Sequence, residues 1–221
     1  MLRTLSAFGL AILLSMPPAL AAEGAPGEQV RQTVDRLLAI LKDPQLKGES
    51  KRNERRAKLK EVLYQRFDFT EMARRSLGSE WRRLSPAEQK EFVELFTDLL
   101  ERSYLDKIES YNGEKVRYLK DHVDGSYADV DTQIVDQKGQ EFSVNYRLYR
   151  VNGDWKVYDV VIENVSLVNN YRTQFNRVLA KSSYAELVKR MRAKKLSAPG
   201  TSGPAFRREV SDVFRSLSTA I

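Results

Sequence analysis

Cysteine is absent from this chain, and histidine occurs once, at His122. Without cysteine there is no disulfide, no thiol nucleophile and no thiolate-bound metal. A single histidine leaves a His-based metal site short of ligands. Also missing are G-x-S-x-G, the P-loop, G-x-G-x-x-G and H-E-x-x-H, which removes the common signatures of hydrolases, nucleotide-binding enzymes and zinc proteases. No internal repeat is visible. A Ser–His–Asp triad would have to use His122, which sits beside Asp121 and Asp124 in a charged strand-and-turn context. A surface histidine is the simpler reading.

Long apolar runs are equally scarce. The one near the start, residues 5–14, is well short of the ~20 apolar residues that a spanning helix needs. It follows Arg3, is broken by Pro17 and Pro18, and leads into Ala19-Leu20-Ala21, an A-x-A cleavage pattern. Residues 1–21 therefore read as a secretory signal peptide. No cysteine follows, so a lipoprotein anchor is not expected. The remaining chain of about 200 residues suits one domain, or one plus an appendage, and can build a core without disulfides. The formal charge is +7, or +6 once Arg3 is lost. That balance favours anionic partners, meaning lipid headgroups or acidic protein surfaces before nucleic acid in an exported chain.

The body reads as helices, then strands, then helices. Residues 22–27 form a small-residue arm expected to be disordered. Val30, Val34, Leu37, Leu38 and Leu41 share a helical face, which Pro44 and Gly48 end. Ser50 starts a second helix with a thin apolar stripe of Leu59, Val62 and Leu63 among many cations. Asp68 with Glu71 caps a short third helix that ends near Gly78. Ser85, Pro86 and Glu88 make the strongest helix start in the chain, and Asn112-Gly113 is its stop.

Strand signals follow. Val116, Tyr118 and His122 lie in a first run, and Val130, Thr132 and Ile134 alternate in a second. Phe142, Val144, Tyr146 and Leu148 share one face of a third. Asn152-Gly153 predicts a type I′ hairpin. Residues 155–162 are apolar on both faces, with Trp155, Val157 and Val161 on one and Tyr158, Val160 and Ile162 on the other, as in a central strand. Ser166 caps a helix carrying Val168, Tyr171, Phe175, Val178 and Leu179, and Ser183 with Glu186 caps another. Residues 197–204 are a linker by composition. Residues 205–221 carry an amphipathic stripe that is marginal as a helix unless it lies on a surface. The fold class is α+β: a curved antiparallel sheet of about four strands covered by helices.

Two ambiguities bear on function. Asp159 lies among Tyr158, Val160 and Val161. It could accept hydrogen bonds from a neighbouring helix start, or act as a general base in a cone-shaped cavity. The apolar faces of the long helix and of the sheet could pack solidly or could wall a cavity, and periodicity does not separate the two. The basic clusters around residues 51–60, 74–75, 82–83 and 189–195 could be solvated faces or an attraction to anionic membrane or an acidic partner.

The segments EWRRLSPAEQKEFVELFTDLLERSYLDKIESY and WKVYDVVIENVSLVNNYRTQF resemble the MlaC-type periplasmic phospholipid-binding proteins, also called the toluene-tolerance family. Trp81, the LSPAEQKEF helix start, Leu99, Tyr104, the Trp155–Val160 strand, Val165-Ser166-Leu167 and Tyr171-Arg172-x-x-Phe175 carry the likeness, over residues 29–195. The resemblance implies a periplasmic lipid carrier without enzymatic activity or cofactor. It also implies that sheet and helices enclose an apolar cavity, in which the acyl chains would lie with the headgroup left in solvent. It implies an outer-membrane lipoprotein complex and an inner-membrane ABC transporter with its substrate-binding subunit as partners, transient membrane contact, and maintenance of outer-membrane lipid asymmetry. A hopanoid is an alternative cargo. On the family-matching helix and strands, the lining is expected from Phe92, Phe96, Leu99, Tyr104, Val144, Tyr146, Leu148, Val160 and Ile162.

Overall fold

A computed structural model describes residues 24–196. The expected signal peptide, linker and tail stripe lie outside the described residues. Within them are six α-helices and a five-stranded sheet in the order β1-β2-β3-β4-β5, antiparallel throughout. The fifth strand was not expected. It is the pair Val165–Ser166, which adds a short edge to β4 just before a helix starts.

The first helix, α1 (Pro26–Lys42), begins inside the arm that was expected to be disordered. Pro26 suits a first helical turn, and the Gly27 amide donates to the Asp121 carboxylate at 2.7 Å. A Cβ on Gly27 would come within 2.3 Å of that carboxylate, so glycine allows the close approach. A 3-10 turn, Glu49–Lys51, precedes α2 (Arg52–Arg66), so α2 starts two residues after Ser50. Asp68 caps α3 (Phe69–Leu77), its side chain accepting from the Glu71 amide at 2.8 Å. The long helix α4 (Pro86–Glu109) opens on a complete capping box between Ser85 and Glu88. Ser166 caps α5 (Leu167–Leu179), and Ser183 caps α6 (Tyr184–Arg192).

The strands are β1 (Lys115–Asp124), β2 (Tyr127–Val135), β3 (Glu141–Val151) and β4 (Asp154–Ile162). Asn152 and Gly153 both have positive φ, as a type I′ turn requires. Two register shifts bend the sheet. In β1 the extra residue is Leu119, and in β4 it is Tyr158. The second shift corrects the strict alternation read from the sequence. Trp155 and Val157 share a face with Val160 and Ile162, not with Val161. A bulge adds one residue to one strand, so the phase flips across it.

Apolar side chains gather in two clusters. One is helical, where Phe92, Phe96, Tyr171 and Phe175 stack edge-to-face between α4 and α5. The other lies on the sheet, with Val30 of α1 packed against Val130, Leu148, Trp155 and Val157. Phe67 and Tyr104 touch both clusters. The backbone after α2 also docks on β4: Phe67 bridges to Val157, and the Asp68 amide donates to the Val157 carbonyl at 2.9 Å.

Candidate functional site: an apolar pocket between sheet and helices

Helices α1 and α2 and the C-terminal half of α4 cross one face of the sheet without filling the space beneath them. The gap is a pocket of about 240 Å³. Val30, Val34 and Leu37 line it from α1, and Leu100, Leu105 and Ile108 from α4. The sheet contributes Ile134, Val144, Tyr146, Val157, Val160 and Ile162. Phe67, Phe69, Met72 and Leu167 close it toward the helical cluster.

Five of the nine residues expected from sequence stand on this wall: Tyr104, Val144, Tyr146, Val160 and Ile162. The other four do not. Phe92, Phe96 and Leu99 are fully buried in the helical cluster. The reason is that α4 is 24 residues long and changes partner along its length. Its first half packs on α3, α5 and α6, and only from Leu100 onward does it overhang the pocket. Leu148 is on the pocket's side of β3, but at the end that α1 closes. There the Gln29 side chain accepts from the Trp155 amide at 3.2 Å, and Arg66 donates to Gln29 and to the Trp155 carbonyl.

The α1 wall was visible in the sequence as a stripe but not as a wall. Nothing in Val30, Val34 and Leu37 distinguishes lining from core. Phe67, Phe69 and Met72 carried no signal beyond hydrophobicity.

Few polar groups reach the pocket. The Tyr146 phenol, surrounded by apolar side chains, is pushed up to about 12 by burial. Burial also drives the Tyr104 phenol well above its ordinary value, with Tyr171 adding to it. Both rings therefore stay neutral. The charged residues on the lining are Lys60, Arg66 and Glu101. Arg66 is committed to the Gln29–Thr33–Trp155 network. Lys60 of α2 meets Glu101 of α4 at 3.0 Å, and the Tyr64 hydroxyl donates to the same carboxylate.

Asp159 does not line the pocket. It is buried at the start of α5, where it accepts from Ser166 Oγ at 2.5 Å and from the Val168 amide at 3.1 Å, with Arg147 at 3.4 Å. This is the helix-start acceptor role, not the placement of a general base in a cavity. His122 is exposed on β1. Among the described residues, no cluster of three or more His, Cys, Asp or Glu could hold a metal ion, and no helix is long and apolar enough to cross a membrane.

Known proteins share the sequence pattern and the fold of this chain. The chain is 24% identical, over 77% of its length and 82% of the relative's, to the intermembrane phospholipid transport system binding protein MlaC of Haemophilus influenzae. It is 26% identical, over 76% of its length and 79% of the relative's, to the toluene tolerance protein ttg2D of Pseudomonas putida. In fold it matches a phospholipid-binding protein of Ralstonia solanacearum, solved in complex with a phospholipid, at a TM-score of 0.66 and 24% identity, covering 77% of this chain and 98% of that one. The family model described as MlaC protein matches residues 31–193, from within α1 to just past α6, and the chain belongs to the MlaC family.

Proposed function

We propose that this protein is a periplasmic phospholipid carrier that shuttles lipid between the outer membrane and an inner-membrane ABC transporter, and so helps to maintain outer-membrane lipid asymmetry. One observation carries the reading: a pocket walled almost wholly by apolar side chains, in a fold shared with a phospholipid-bound relative. Exposing an acyl chain to water costs roughly 0.8 kcal/mol per methylene, so two chains cost on the order of 20 kcal/mol. A carrier needs a matching apolar lining and no catalytic group. The position of Asp159 at a helix start, away from the pocket, supports a carrier over an enzyme.

The pocket is smaller than the ~300–1,000 Å³ of ordinary ligand sites. Two acyl chains therefore require its walls to part. The walls most suited to parting are α2 and α4, which face each other across the pocket through side-chain ion pairs. Partners are an outer-membrane lipoprotein complex and the transporter's substrate-binding subunit.

Native mass spectrometry of the protein purified from an envelope fraction tests the reading, together with uptake from liposomes. A co-purifying diacyl lipid is expected, and its extract distinguishes a phospholipid from a hopanoid. Absence of both bound lipid and uptake overturns the carrier reading.

A further inference from the structure

Arg52, Arg56, Lys60 and Tyr64 stand four residues apart and form one stripe along α2. They face Glu101, Asp106 and Glu109 of α4. At the far end of this seam the guanidiniums are multiply held. Arg52 meets Asp106 at 3.0 Å, Arg55 and Arg56 meet Glu109 at 2.8 and 2.7 Å, and Arg55 also donates to the Leu46 carbonyl at 2.7 Å. At the pocket the arrangement is thinner. Glu101 is the carboxylate that Lys60 pairs with, and Lys60 and Tyr64 converge on it as two donors. The Lys60 side chain is 38% exposed and that of Glu101 19%. Burial and the Glu101 contact both raise the Tyr64 pKa, so the phenol remains a donor at neutral pH.

We infer that Lys60 and Tyr64 form the subsite for the phosphate of a bound lipid, and that Glu101 occupies this subsite in the closed, lipid-free state. The inference rests on the carrier reading above. A lipid with its chains in the pocket must bring its glycerophosphate out where the wall turns polar. Of the charged lining residues, Arg66 directs its Nε and Nη1 to Thr33, Gln29 and the Trp155 carbonyl, at the end closed by α1. That leaves the Lys60–Tyr64 rim. A carboxylate held by an ammonium and a phenol presents two anionic oxygens to the same donors that two phosphate oxygens would use. An ion pair this open to water is held weakly, so an entering phosphate can displace it. Glu101 then turns to solvent, and α2 loses its pocket-side tie to α4 while the Arg52, Arg55 and Arg56 pairs hold the far end of the seam. The phosphate is met by the protein while the rest of the headgroup stays in water.

The test is competitive uptake from vesicles of fluorescent phosphatidylglycerol and of diacylglycerol with the same acyl chains. The ratio of the two is the readout. Lys60→Gln is expected to lower the phosphatidylglycerol preference about tenfold, the loss of one charge-assisted contact. Tyr64→Phe lowers it by less. Glu101→Gln raises it, because the competing anion is gone. Glycerol phosphate at millimolar concentration should not displace bound lipid, and displacement would assign a free-phosphate site instead and overturn the proposal. If Lys60→Gln and Glu101→Gln change both uptake rates and leave the ratio unmoved, the seam is a latch without phosphate recognition, and the proposal fails while the carrier reading stands. Wild-type protein that takes up neither lipid overturns the carrier reading and the subsite with it.

Discussion

Asp159 and Glu71 illustrate how single carboxylates hold this fold together. Asp159 is buried and joins the end of β4 to the first turn of α5 through Ser166 and the Val168 amide. Asp159→Ala leaves that amide without a partner and is expected to cost about 2–3 kcal/mol in urea denaturation. Lipid uptake by the folded fraction should persist, and a variant that folds normally but carries no lipid would restore a direct role for Asp159. Glu71 reports on pH. Burial works against its charge, but Arg74 and Arg75 outweigh burial and hold the carboxyl below its ordinary range. A lowered pKa stabilises the folded state above the unfolded-state value, and the gain is lost as pH falls through the folded value. Glu71→Gln should therefore be less stable than wild type at neutral pH and converge with it in acid, as measured by thermal melts across pH.

At the level of elements, α4 divides the molecule's work. Its first half is core: Phe96 is fully buried and packs edge-to-face on Tyr171 and Phe175. Phe96→Ala should cost about 3–5 kcal/mol. Val160, by contrast, faces open space in the pocket. Val160→Phe has room for its ring, so it is expected to leave the melting temperature within a few degrees of wild type and to block lipid uptake. The reverse pattern, stable loading and a collapsed melt, would mean that Val160 is core and that the pocket is not the lipid site. The contrast also measures what the sequence could tell. Caps at Asp68, Ser85, Ser166 and Ser183 were legible because capping is a local hydrogen bond, readable at three-residue spacing. The division of α4 was not, because Phe96 and Leu105 lie on apolar faces of one helix and differ only in what covers them. The face of Val160 was misread for another reason. Tyr158 is an extra residue in β4, and a bulge leaves no mark in an alternating apolar run.

For the whole molecule the question is where its charge goes. A sequence with net +7 and several basic runs suggests a surface drawn to anionic membranes. Folding leaves the net charge unchanged but pairs many of those cations with carboxylates of neighbouring turns and helices. Arg52, Arg55, Arg56 and Lys60 are spent on Asp106, Glu109 and Glu101, and Arg74 and Arg75 on Glu71. The α2 cluster therefore acts first between α2 and α4, across the pocket whose walls must separate for a diacyl lipid. Partly exposed pairs of this kind are screened by salt, whereas the apolar contacts of the walls are not weakened by it. Raising the ionic strength from about 0.05 to about 0.5 M shortens the Debye length from roughly 14 to 4 Å. Lipid exchange with neutral phosphatidylcholine vesicles should then become faster, because parting α2 from α4 costs less while the lining keeps its affinity. Vesicles without net charge remove membrane attraction from the measurement. A rate that falls with salt would instead mean that the basic residues act outward, on the membrane surface, and a flat rate would mean that the walls part somewhere other than along the α2–α4 seam.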